Sequence, residues 1–518
     1  MKPSTELFQL IKSLTKSEKR YFKLSSSLQS GEKNYMKLFD AVEMQEEYDE
    51  VDLKNRFLKE TFIKHLPSEK NHLYSLILKS LRGFYSDKSA AAILQEQLRN
   101  IELLYNKALY KECSKIIRKA KKIAYDYEKY YFLLDLIDWE KNLVEEEYLR
   151  GVFGKDLTKL VDEGSECLER LRNLAEYQIL YSKIDYVFRR GGYSRNDEEQ
   201  AIVDEIANHH LIVGRNTALT TKAATACYYI KGLCASTERN LDVTYTNFMK
   251  VITIMENNPM IMRELPKRYV KAVNNVMYSY IDQNDWENCT VMIQKMNALV
   301  KEKGFESLDV QLKLFTFPNN AELLVCLTKG DFKKAINTVV PVILKGIKEY
   351  DGKINNEEVM LFYYNISRAY FGVGDYKNAL KYINLVLNNS ETGLREDVYT
   401  FARLVNLIIH FELGNFDLLD YTLKSTKRFV TKRLKNYKFE TIFLKDFKKL
   451  LKNKDEDEMQ DFYIEFKNDI VQVLKDPYEQ AANEYFDFLS WLDAKIENKT
   501  CEQIVRAKQY RISIFVFV

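Results

Sequence analysis

Apolar residues return at every third or fourth position along most of the chain, the spacing that lines one face of an α-helix. Leu73, Leu76, Ile77 and Leu81 repeat in this way after Pro67, so a helix is expected to open at Ser68. Thr15 and Glu18 stand three apart, the capping-box spacing in which each side chain satisfies the other's free amide. Residues 1–90 read as several shorter helices, broken by the polar stretch Gln29–Lys33 and the acidic run near Asp49. From about residue 91 the segments lengthen and pair. Gln97–Ala124 reads as a hairpin turning near Ala108-Leu109-Tyr110, and residues 128–150 and 157–190 as two long helices, the second stopping at Gly191-Gly192. Thr220–Ser236 with Leu241–Glu256 adds a hairpin. Residues 455–518 continue as helices into an apolar tail, Arg511–Val518, which either caps the last hairpin or stays exposed.

Composition sharpens this to an all-α fold. Only 17 glycines and 7 prolines occur, and no proline lies between residues 68 and 258 to break a helix. An aromatic content of 13% is far above that of a disordered chain. No apolar run reaches the length of a membrane span, and the N-terminus has no apolar core of signal-peptide length, so the expected location is cytoplasmic. The seven cysteines are scattered with no C-x-x-C pair. Cys227 and Cys234 sit two helical turns apart, roughly 10 Å, too far for a bridge. Reduced, buried thiols are expected.

An internal repeat then emerges. Tyr363, Ile366, Ser367 and Tyr370 precede the turn Gly374-Asp375-Tyr376, which is followed by Ala379 and Ile383. Val273, Val276, Met277 and Tyr280 precede Asn284-Asp285-Trp286, followed by Cys289 and Ile293. Gly330-Asp331-Phe332 leads to Ala335 and Val339, and Gly414-Asn415-Phe416 to Leu419 and Leu423. Ala108-Leu109-Tyr110 with Cys113 and Ile117 fits the same frame. This pattern resembles the tetratricopeptide repeat, most clearly over about residues 270–430. The slots 289, 335, 379 and 419 are 46, 44 and 40 residues apart, against about 34 in an ordinary repeat, which gives helices of about 18 residues, roughly 27 Å long. The chain departs from the family in that length, in lacking the first tryptophan, in carrying Glu391 where a proline usually closes the repeat, and in the bulk of Leu419. The resemblance implies a divergent, bacterial-type TPR-like α-solenoid, a right-handed superhelix of antiparallel hairpins over residues 91–518, with residues 1–90 as an N-terminal helical cap or small domain.

Searched for catalytic chemistry, the sequence offers none. It has no Walker loop, dinucleotide fingerprint, H-E-x-x-H or G-x-S-x-G. Its five histidines do not cluster. Glu205 and His209 face one way but lack further ligands, so they read as a surface pair, and no metal or cofactor is expected. Ser13-Leu14-Thr15-Lys16 matches a short S-x-x-K pattern without its companion motifs. Asn406 and His410, four apart, read as a hydrogen-bonded core pair. The net charge of +3 does not by itself imply nucleic acid. Residues 424–454 do carry twelve basic residues, including Lys427, Arg428, Lys432, Arg433, Lys448 and Lys449, interleaved with Phe429, Tyr437 and Phe443. That pattern is either a solvated helix face over a core stripe, a surface for an acidic partner, or a phosphate-gripping, base-stacking stripe.

The function that the resemblance implies is a non-enzymatic scaffold that holds a protein segment against the first helices of its hairpins. Groove positions carried over from the family fall at Asn274, Tyr278, Asn320, Tyr364 and Arg368, with Lys271 and Asn274 as a fragment of the family's carboxylate-clamping pattern. The alternative is a nucleic-acid-binding or regulatory protein that uses the basic stripe or a helix-turn-helix-like N-terminal region. No membrane partner is expected.

Overall fold

The computed structural model describes residues 4–516 apart from 28–33, 152–156, 190–193, 195, 351, 390–395, 433–436, 453–455, 477 and 481. The break at Gln29–Lys33, the stop at Gly191-Gly192, Glu391, Arg433 and the last two residues of the apolar tail therefore lie outside the described residues. Among those described, every regular element is helical, as the periodicity predicts. They form two compact units, Met1–Glu169 and Arg170–Val518, with the boundary inside the helix Leu157–Arg189. Residue 90, where the sequence places the end of an N-terminal cap, falls within the first unit.

In the first unit, helices Glu6–Ser13, Lys16–Ser27, Asn34–Met44 and Leu66–Phe84 close on a core that includes Leu7, Ile11, Phe22, Phe39, Leu73 and Ile77. The capping box forms in both directions: the Thr15 amide donates to Glu18 Oε2 at 2.6 Å and the Glu18 amide to Thr15 Oγ1 at 3.3 Å. The helix expected from Ser68 starts at Leu66, because Pro67 suits the first turn, where no amide hydrogen is needed. Ala90–Tyr105 and Tyr110–Asp126 make the hairpin that turns at Ala108.

Five helical hairpins organise the second unit: α1 (Thr221–Thr237) with α2 (Leu241–Glu256), α3 (Pro266–Asp282) with α4 (Trp286–Ala298), α5 (Leu308–Lys329) with α6, α7 (Asn356–Gly372) with α8 (Tyr376–Leu387), and α9 (Glu396–Glu412) with α10 (Phe416–Lys432). Helix α6 is three abutting pieces, Phe332–Lys334, a π-helical turn Ala335–Val339 and Val340–Tyr350. From α3 onward the first helix of each hairpin packs on its own partner and on the first helix of the next hairpin.

One turn geometry makes most of these hairpins. A residue with positive φ ends the first helix, and the next amide reaches back five residues, a Schellman closure that satisfies a helix-end carbonyl. It occurs after Ala108 (Leu109 N to Leu104 O, 3.0 Å), Arg239 (Asn240 to Ala235, 2.9 Å), Asn284 (Asp285 to Tyr280, 2.8 Å), Gly330 (Asp331 to Cys326, 2.8 Å), Gly374 (Asp375 to Tyr370, 3.0 Å) and Gly414 (Asn415 to His410, 3.0 Å). The aspartate that follows then starts the second helix, with Asp285 and Asp375 each accepting the amide three residues on at 3.1 Å. The signature thus supplies a stop at every copy, a side-chain cap at Asp285 and Asp375, and an aromatic that is buried at Phe332, half-buried at Trp286 and Tyr376 and exposed at Phe416. The small-residue slots Cys289, Ala335 and Ala379 are fully buried, and so is the larger Leu419. Beside Ala379 the backbones come close enough for Ser367 Oγ to donate to its carbonyl at 2.8 Å.

The chain beyond α10 does not simply extend the stack. Helices Lys438–Leu450 and Glu456–Val473 pack together, and their Phe439, Phe443, Phe447 and Phe466 join Phe488 and Trp491 in one core with α7 and α9. Each such side chain contributes about 1.5–3 kcal/mol on burial. The described residues of 476–508 then run back across the first helices of the hairpins. Tyr478 OH donates to Asp197 Oδ1 (3.0 Å), Arg239 contacts Gln480 (3.3 Å) and Glu484 (3.0 Å), Tyr364 OH donates to the Tyr485 carbonyl (3.0 Å), and Arg506 Nε donates to the Gly330 carbonyl (3.2 Å). This return segment decides what kind of site the inner face offers.

Candidate functional site

A cavity of about 900 Å³ lies between the inner face of α3, α5 and α7 and the return segment. All five groove positions named from the sequence, Asn274, Tyr278, Asn320, Tyr364 and Arg368, line it. They reach it because α3, α5 and α7 are first helices stacked side by side, so corresponding faces of successive repeats meet the same space. Their exposure differs. Tyr364 and Asn320 are buried, at 1% and 6%, while Asn274, Tyr278 and Arg368 are half-buried.

A hydrogen-bond chain links these helices. Arg368 Nη1 donates to Asn365 Oδ1 (3.1 Å), Asn365 Nδ2 to Asn320 Oδ1 (3.0 Å), and Asn320 Nδ2 to Tyr278 OH (2.6 Å). One hairpin earlier, Asn275 Nδ2 donates to Tyr229 OH at 3.1 Å. Amide side chains suit this role because each carries both a donor and an acceptor. Asn275, Asn320 and Asn365 recur at intervals of 45 residues, a periodicity present in the sequence that the search for aromatic and small residues passes over. Asn274 contributes no such link: its Oδ1 is closed off with no hydrogen-bond partner among the described residues.

Two of the cavity's three cations are paired. Arg239 meets Glu484 at 3.0 Å. Lys508 Nζ donates to Ser490 Oγ at 2.7 Å and stands 3.6 Å from Asp487, which itself caps the helix Phe488–Ile496 through the Ser490 amide at 2.8 Å. Arg368 is the exception. Its hydrogen bond to Asn365 is the one it makes among the described residues, and no carboxylate among them lies within ion-pair distance. Burial pulls its pKa down, with the Tyr364 hydroxyl and Asp487 acting the other way. Asp282, at the end of α3, is pushed up to about 7 by the surrounding protein and by Glu484, against the pull of Arg239.

The other residues singled out from the sequence lie elsewhere. Lys427, Arg428, Lys432 and Lys448 are exposed, and Lys449 is engaged by Asp446 (3.2 Å) and Glu465 (3.0 Å). Two of the interleaved aromatics, Phe443 and Phe429, pack against the protein. Phe443 is fully buried, and the half-buried Phe429 packs on Tyr399 and under the Arg403 guanidinium, 4.7 Å from its centroid. The expected Asn406–His410 pair is not formed. His410 Nδ1 lies 3.1 Å from Asn415 Nδ2, because the turn at Gly414 folds Asn415 back over the last helical turn, and Asn406 Oδ1 has no partner among the described residues. Glu205 takes Lys183 at 2.7 Å, while His209 accepts the Leu211 amide at 3.3 Å. No group of three or more His, Cys, Asp or Glu among the described residues is arranged to hold a metal. Lys271 reaches Tyr181 OH at 3.4 Å. All seven cysteines are unbridged, and six of them are buried.

No helix among the described residues is long and apolar enough to cross a membrane. Comparison of the chain with protein-family models, with curated proteins and with solved structures returns no match.

Proposed function

We propose that the chain is a TPR-like α-solenoid, wound as a right-handed superhelix, that works as a non-enzymatic scaffold and holds a partner protein's segment at the inner-face cavity. One observation carries this reading: the five positions that the repeat frame assigns to a groove, drawn from three different hairpins, line a single cavity. The recurring Schellman turn, the buried small-residue slots and the packing of first helix on first helix support the repeat part of it. The unbridged cysteines suit the reducing cytoplasm, where we place the protein. Arginine and tyrosine at the cavity are the residue types that most often anchor interfaces.

Capture from cell lysate on the immobilised protein tests this, with and without nuclease and at low and high salt. The expected result is a protein partner that survives nuclease and salt and is lost on Tyr278→Ala or Arg368→Ala. Recovery of nucleic acid that is released by salt and by neutralising Lys427, Arg428 and Lys432 would move the function to the basic stripe. A protein partner retained by both cavity variants would overturn the groove assignment.

A further inference from the structure

The return segment changes what the cavity can hold. Residues 480 and 483–487 lie along the inner helices, so the space around Arg368 is bounded by the chain's own return segment on one side and by α5 and α7 on the other. A volume of about 900 Å³ falls in the range of small-molecule sites, roughly 300–1,000 Å³. Phe248, Leu324, Leu327, Phe371 and Trp491 supply apolar wall.

Charge narrows the ligand further. Of the three cationic side chains on the cavity, Arg239 and Lys508 are already matched by Glu484 and Asp487, which leaves the Arg368 guanidinium as a cation without a carboxylate partner among the described residues. Its planar fork offers two parallel N–H donors to a planar carboxylate, and a half-buried, partly desolvated cation gains by acquiring an anion. A second negative charge would find no unmatched cation and would face Asp282 and Glu357 on the same cavity.

We infer that the cavity binds a small monoanion, a carboxylate on an apolar body, with the carboxylate on Arg368 and the body against the aromatic and leucine wall. This goes beyond the scaffold reading and stands independently of it, since it concerns the isolated chain and a free small molecule.

Isothermal titration calorimetry on the full chain tests it with octanoate, decanoate and indole-3-acetate, their neutral primary amides, and inorganic phosphate. At least one carboxylate is expected to bind with a Kd below about 1 mM, its amide at least tenfold more weakly, and phosphate not at all. Arg368→Gln, whose side-chain amide can still donate to Asn365, is expected to weaken the carboxylate at least tenfold and leave the amide unchanged. Equal binding of acid and amide, phosphate binding as tight as the carboxylates, or no carboxylate below 1 mM would each overturn the inference. The comparison of acid with amide on the unaltered protein needs no variant to fold.

Discussion

Replacing Asn320 by alanine should show how far the amide chain holds the hairpins together. Asn320 is 6% exposed and bridges two neighbours, accepting from Asn365 Nδ2 at 3.0 Å and donating to Tyr278 OH at 2.6 Å. Each such bond contributes about 1 kcal/mol net, and stranding the amide of Asn365, itself 1% exposed, adds a desolvation cost of about 1–3 kcal/mol. The expected loss is therefore about 3–5 kcal/mol. The second unit, residues 170–518, has an unfolding entropy of about 0.7 kcal/mol/K at about 2 cal/mol/K per residue, so its melting midpoint should fall by about 4–7 °C. Calorimetry of Asn320→Ala reads this directly. A double-mutant cycle with Asn365→Ala should show coupling of about 1 kcal/mol or more, because the first substitution already breaks the bond that the second removes. A midpoint within 1 °C of the unaltered protein, or strictly additive effects, would refute the claim that the chain is a connected structural element.

Three further outcomes follow from the same geometry. Gly374→Ala should cost about 1 kcal/mol through backbone strain alone, since φ is 80° and an added Cβ meets nothing within 4 Å; Gly374→Asn should cost less, as the native Asn284 at φ 57° suggests. Gly372→Ala should cost more, about 2–3 kcal/mol by thermal melt, because its Cβ would lie 2.4 Å from the Phe332 ring. Asp282 has a raised pKa, so the stability it contributes is complete below the ordinary carboxylate value and is lost as pH rises toward about 7; Asp282→Asn should flatten that part of a melting-versus-pH curve, and an unchanged slope would reject the assignment.

Local chemistry made much of this architecture readable in the sequence. The capping box at Thr15, the turns at Gly374 and Gly414 and the buried slot at Ala379 each rest on a few adjacent residues whose geometry has one good solution. The five groove positions reach one cavity because helical period and repeat register together set which faces stack. The return of residues 476–508 was not legible. Its contacts, such as Tyr478 with Asp197 and Arg506 with Gly330, join residues 281 and 176 positions apart, and no local pattern records such a pairing. Over residues 424–454 the sequence left three readings open, and the buried Phe443 beneath exposed lysines fits the solvated face over a core stripe. What the pattern did not record is that this core is completed by Phe488 and Trp491 from much later in the chain. Asn406 and His410 failed for a nearer reason, since the turn at Gly414 brings Asn415 to the imidazole instead.

The central claim is that partners bind the inner face of the hairpin stack, and site-specific photocrosslinking tests it most directly. A photoreactive phenylalanine analogue at Tyr278, which lines the cavity, is compared with one at Tyr421, which is 75% exposed on α10. Crosslinked partner in lysate from position 278 and not from 421 is the expected result. Crosslinks from 421 alone, or from neither position while capture still succeeds, would contradict the inner-face site.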